Sequence, residues 1–354
     1  MKKAKLLILC SAFLGLCLTA CNQTAEPSVE PEPDNTVDVF VLSGQSNMEG
    51  STYYDNGKQW LQKACDRLEI DSTPMLQGFE NIYTSYYGYY PYGGGTPTPH
   101  ASNKTDPMAG KFVNTKVGMG NRDDFMGPEL GIAHILQDYA TADRPIYFIK
   151  CAFSGSGFKS QDPNWVLKDD PRTDRKYNAT KNLYENKLKV FTENNLELIK
   201  ETGKEPVIKG FLWHQGESDT GAETAYATSM RMLIQRFRDD FADYAPDQDG
   251  ENIAFIDGYI YDGPRSPYGN GATTLNNVKQ AIAEENPEHN FIINTSYKQT
   301  YGYSIDEDNA PMQCAINPDA GDVEGGCDNY HYKTYDDVRM GMGYGSCIAE
   351  NILG

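Results

Sequence analysis

Positive charge is scarce in this chain. Its 354 residues carry 31 Lys and Arg against 50 Asp and Glu, a formal net charge of −19. Such a surface repels phosphate backbones and anionic membrane surfaces, which argues against nucleic acid as a partner. A neutral substrate such as a polysaccharide is not repelled. Histidine is scarcer still, with five in the chain. No CxxC and no paired His/Cys spacing occurs, so nothing suggests zinc. Long apolar runs are also missing, except at the N-terminus.

That exception is MKKAKLLILCSAFLGLCLTAC, with Lys2, Lys3 and Lys5 ahead of an apolar stretch and then small residues. It reads as a secretory signal, too short and wrongly flanked for a membrane-spanning helix. Its end, Leu18-Thr19-Ala20-Cys21, resembles a bacterial lipobox. Cleavage before Cys21 and lipidation of that thiol would give an exported, membrane-anchored lipoprotein, held by several acyl chains. The alternative is a plain secreted protein in which Cys21 is incidental. Removing the signal's three lysines leaves 28 basic against 50 acidic residues. Residues 21–36 are rich in Pro and Glu and read as an extended tether. Five cysteines lie beyond Cys21: Cys65, Cys151, Cys314, Cys327 and Cys347. In an oxidising compartment the expected bridge is Cys314–Cys327, and an odd count leaves at least one thiol free.

Residues 37–354 contain no internal repeat and no second linker. Short apolar runs recur at 37–43, 144–153, 206–214, 252–260 and 290–297, each bounded by turn residues. This is how a strand covered on both faces reads. Helical patterns separate them at 127–140, 180–203, 227–245, 273–286 and 335–353. Alternation of this kind predicts an α/β protein with one doubly wound, mainly parallel, five-stranded sheet, and sites at the carboxyl ends of the strands. Residues 51–126 stand apart as a polar, Gly- and Tyr-rich insertion. Its segment YTSYYGYYPYGGG (83–95) holds six tyrosines. These form either an aromatic platform for sugar rings or an ordered loop packed on itself.

Chemistry-bearing residues gather just beyond the predicted strands. The first strand runs into Ser-Gly-Gln-Ser-Asn. Ser46 follows Gly44 and precedes Asn47, where a nucleophile's own N–H can meet an oxyanion. Ser43 is a rival, and an N-cap is the plain alternative for Ser46. The pattern is not the Gly-x-Ser-x-Gly elbow, because Met48 takes its last position. The second strand ends in Ser154-Gly155-Ser156-Gly157, where backbone can approach a ligand closely. The third ends in WHQGESD (213–219): Gln215 offers an amide to an oxyanion, and His214 and Glu217 are a possible base and acid. Near the C-terminus, Asp328 and His331 are three residues apart. In a helical turn that spacing shares one side, so the carboxylate can orient an imidazole base.

Taken in order, Gly44-Gln45-Ser46-Asn47, GPELGIA (127–133), KCAFSGSG, WHQGESD and Asp328-x-x-His331 resemble the sialate O-acetylesterase/acetylxylan esterase group of the SGNH hydrolases (carbohydrate esterase family 6 and its relatives). The resemblance spans most of residues 37–354. It implies a three-layer α/β/α sandwich and no metal or organic cofactor. It further implies Ser46 as nucleophile, His331 as base and Asp328 as its orienting acid. Gly155, Gln215 and the Ser46 N–H would form the oxyanion hole. Glu217 is the second choice for the acid, and Gln45, Asn47 and His214 are expected to line the substrate. The second block departs from the family's frequent pair of glycines, since Ser154 precedes Gly155.

The expectation is a serine esterase removing O-acetyl groups from an acetylated glycan such as xylan or sialic acid, touching a membrane only through its lipid anchor. Two alternatives stay open: a glycan-binding lipoprotein without turnover, and an SGNH lipid esterase. The polar insertion disfavours the second.

Overall fold

The computed structural model describes residues 35–354 apart from 56, 91–97, 160–163, 172–176, 265, 300 and 304–329. The described residues open with strand β1 (Thr36–Gly44), the single turn α1 (Ser46–Glu49) and the short β2 (Thr52–Tyr53). Helices α2 (Trp60–Leu68) and α3 (Thr73–Gln77) follow. Strands β3 (Ile82–Tyr90), β4 (Thr98–Ala101), β5 (Val113–Asn114) and β6 (Phe125–Met126) precede helix α4 (Glu129–Leu136). The second half alternates β7 (Ile146–Ala152), α5 (Lys189–Lys200), β8 (Glu205–His214), α6 (Glu223–Asp240), β9 (Ala254–Gly258), α7 (Asn270–Glu285) and β10 (Asn290–Ile293). Helix α8 (Thr334–Ile348) follows and runs into a π-helical turn at Ala349–Leu353.

Among the described residues the main sheet has eight strands. Its order is β10-β9-β8-β1-β7-β3-β4, with β5 also on β3. The first six of these run parallel, while β4 and β5 pair with β3 in antiparallel fashion. The alternation of β1 divides two cores. Val37, Val39 and Val41 face one that includes Phe191 of α5, Met230 and Phe237 of α6 and Leu275 of α7. Phe40 and Leu42 face the other, with Leu61 of α2, Leu130 of α4 and Val338 and Tyr344 of α8. A strand's side chains point alternately to opposite faces, so an unbroken apolar run serves both layers. The result is an α/β/α sandwich. Helices α4 and α8 cross where Gly131 meets Gly341. A Cβ at Gly131 would lie 2.1 Å from the Val338 carbonyl oxygen, and one at Gly341 2.1 Å from that of Pro128.

All five expected strands are present, and the expected sheet is too small. The three extra strands come from residues 51–126, expected as a polar insertion apart from the sheet. The reason is chemical: β3 buries hydroxyls along with its aromatic rings. Thr84 pairs with Thr115 at 2.7 Å and Ser85 with Ser102 at 3.3 Å, so small polar residues sit inside without an apolar signature. Tyr86 and Tyr87 are buried, and Tyr87 packs edge-on against Phe153. Residues 91–95, the rest of the tyrosine segment, lie outside the described residues.

Candidate active site

Register decides where the loops meet. Gly44, the last residue of β1, aligns with Ala152 at the end of β7 and with His214 at the end of β8. The three segments that follow therefore leave the sheet side by side. This is the crevice at the carboxyl ends of parallel strands where α/β proteins place ligands. Gly44 has φ +140, and a Cβ there would lie 2.1 Å from the His214 carbonyl oxygen. Only glycine lets the two backbones close, and the next N–H, that of Gln45, donates to the same oxygen at 3.0 Å.

Ser46 begins α1 and is 5% exposed. As first residue of a helical turn, its N–H has no intrahelical acceptor. Its hydroxyl makes no hydrogen bond among the described residues. Ser43 differs: it is fully buried and donates to the Cys151 carbonyl at 2.7 Å.

The loop after β7 turns tightly. The Phe153 N–H donates to Gly44 O at 3.1 Å, and the Ser156 N–H returns to Phe153 O. Gly155 sits at φ +71 with open space where a Cβ would point, and it alone is exposed among residues 151–158. The loop after β8 is buried and braced. Gln215 donates from Nε2 to Asp219 Oδ2 at 2.7 Å, with Gln45 Oε1 and Ser156 O each at 3.2 Å. Asp219 also accepts from the Phe158 N–H, tying this loop to the previous one. Gln45 Oε1 accepts from the N–H groups of Gly216 and Ser218 at 3.4 and 3.3 Å.

Glu217 accepts from Asn47 Nδ2 at 2.7 Å. Burial raises its carboxyl above the usual range, opposed by the Asn47 hydrogen bond and by the charges of Lys279 and His331. His214 is fully buried, 3.8 Å from Glu217. Burial holds its imidazole well below the ordinary value, helped by Lys279, so it stays neutral.

The C-terminal segment is stitched over this rim. Asn47 Nδ2 reaches Tyr330 O, and the Tyr332 N–H donates to Asn47 Oδ1, both at 3.4 Å. Thr52 donates to Tyr332 O and Thr334 to Tyr53 O, each at 2.8 Å. His331 lies between these contacts, 2% exposed, in a bend before α8 rather than in a helix. Asp328 lies outside the described residues, as do Cys21, Cys314 and Cys327. Cys65, Cys151 and Cys347 are buried free thiols. Among the described residues no group of three or more His, Cys, Asp or Glu side chains is placed to hold a metal ion.

Two residues here escaped sequence reasoning. Glu49, on the Ser46 turn, accepts from the Ser154 N–H and hydroxyl and from the Tyr89 N–H. Asn121 donates to Ser51 and Ser154. The only available hint was that Glu49 shares a turn with Ser46.

A family model described as carbohydrate esterase, sialic acid-specific acetylesterase matches residues 103–348. The chain belongs to this family. It is thus a carboxylic ester hydrolase acting on acetylated carbohydrates. The match includes Gly155, Gln215, Glu217, Asp328 and His331, while Ser46 precedes it. Among solved structures, the esterase is similar to a protein from Arabidopsis thaliana at 17% identity and TM-score 0.51, over 90% of this chain and 100% of that one. It is similar to NanS at 13% identity and TM-score 0.53, over 90% and 98%. At such identities the likeness concerns the fold. No curated protein matches the chain.

Proposed function

We propose that the esterase works through an acetyl-Ser46 intermediate on an O-acetylated glycan. Ser46 Oγ attacks the acetyl carbonyl and its proton passes to His331. The tetrahedral species collapses, the C–O bond to the sugar breaks, and His331 protonates the departing hydroxyl. Water then attacks acetyl-Ser46 with His331 again as base, releasing acetate. Asp328 orients the imidazole, with Glu217 the second choice for that role. The observation that carries this reading is Asn47. One side chain binds the Ser46 turn to Glu217 and to both residues flanking His331.

The Ser46 and Gly155 N–H groups stabilise the oxyanion. Gln215 adds a third donor by exchanging a loose 3.2 Å contact, while its 2.7 Å bond to Asp219 stays in place. Exposed Tyr330, with the Tyr268 ring 6.1 Å away, presents an aromatic face to a sugar beside His331. A serine-reactive phosphonate tests the mechanism: it should label the parent and not Ser46→Ala, and equal labelling would remove Ser46 as nucleophile.

The Cys21 signal supports export as a lipoprotein on the same reading. Labelling by a fatty acid that disappears in Cys21→Ala would establish it, and labelling that persists would exclude it.

A further inference from the structure

The Glu49 carboxylate is buried under the site, yet the mechanism above does not use it. Oε1 accepts from the Tyr89 N–H at 2.8 Å. That N–H lies beyond Tyr87, where β3 stops pairing with β7. Oε2 accepts from the Ser154 N–H at 2.8 Å and from the Ser154 hydroxyl. Gly88 makes the space: a Cβ there would sit 2.3 Å from Oε1. One carboxylate therefore joins the Ser46 turn to the residue immediately before Gly155. We propose that Glu49 is a positioning residue whose ionised carboxylate fixes the Gly155 N–H opposite the Ser46 N–H, so that both meet the same oxyanion. This rests on the serine-esterase reading above.

The ionised form matters because both of its oxygens only accept, whereas protonation turns one of them into a donor among groups that donate to it. Burial pushes the Glu49 carboxyl up to about 7, against the pull of Ser154, Tyr89 and Lys150. The charged group facing it from β7 is Lys150, which is itself held by Glu129 of α4 at 2.6 Å. Buried Asp337 of α8 feels both of these charges. The Cys151 thiol, raised by burial, is the remaining titratable neighbour on β7. Glu49 thus changes charge near neutral pH, and the oxyanion loop loosens on its acid side.

The test is hydrolysis of 4-nitrophenyl acetate by the parent, Glu49→Gln and Ser154→Ala across pH. Misplacing one oxyanion donor should lower kcat of Glu49→Gln about tenfold to a hundredfold, with KM within about twofold. The acidic limb of log(kcat/KM) should carry the Glu49 ionisation in the parent. That contribution should be absent in Glu49→Gln. Ser154→Ala, which keeps the carboxylate and both backbone N–H donors, should show a smaller loss confined to kcat. Parental kcat and an unchanged limb in Glu49→Gln would overturn the proposal. If that variant does not fold, parental kcat in Ser154→Ala would do so. A parent with no hydrolysis would remove the serine-esterase reading and this proposal with it.

Discussion

Asn47 donates to Glu217 at 2.7 Å across 170 residues of chain, and both partners are buried. The contact fastens the turn bearing Ser46 to the loop after β8. Removing it leaves a buried carboxylate without that donor, a loss of about 1–3 kcal/mol. Asn47→Ala should therefore show an unfolding free energy in urea lower by this amount. It should also lose turnover, since the contacts to Tyr330 and Tyr332 go with it. Parental stability would show that the link carries no energy.

Two glycines of the rim should respond differently to alanine. At Gly44 the new methyl meets the His214 carbonyl, part of the sheet itself. Gly44→Ala should fail to accumulate as folded protein. At Gly155 there is open space, so the cost is the positive φ alone, about 1–2 kcal/mol. Gly155→Ala should fold and lose activity. Circular dichroism and turnover of the two purified variants check this.

Stability should depend on pH through Glu49. Its carboxyl lies near 4.5 in the unfolded chain and about 7 in the folded one. An acid with a raised folded value binds more protons when folded, so stability falls as pH rises through that window. The loss is on the order of 3 kcal/mol between pH 4.5 and pH 8. Asp257, raised by burial to about 6, adds a loss in the same direction. Glu49→Gln is neutral throughout. Urea unfolding at pH 5 and pH 8 should show a smaller decline in this variant than in the parent. Equal declines would contradict the assignment.

The aromatic face at Tyr330 should matter only for a sugar. Tyr330→Ala should raise KM on an acetylated oligosaccharide about fivefold or more, from the loss of roughly 1 kcal/mol of stacking. Turnover of 4-nitrophenyl acetate should hold. Equal effects on both substrates would place Tyr330 in the fold of the site rather than in sugar binding.

The sequence made the parallel framework legible because β1, β7, β8, β9 and β10 are buried on both faces and read as apolar runs. It concealed β3, whose Thr84 and Ser85 are satisfied by neighbours invisible to local pattern. Ser46, Gly155, Gln215 and Glu217 stood out because each follows a strand end, and register then brought those ends together. Glu49 stayed hidden for a different reason. A glutamate on a turn reads as solvated unless Gly88 and Ser154, distant in sequence, are known to surround it.

The most direct test of the account is acetate release from acetylated xylan, measured for the protein beside its Ser46→Ala variant. The account predicts release by the parent and none by the variant. Release by Ser46→Ala at the parental rate would contradict it, because the acetyl group would then be leaving without the serine that begins α1.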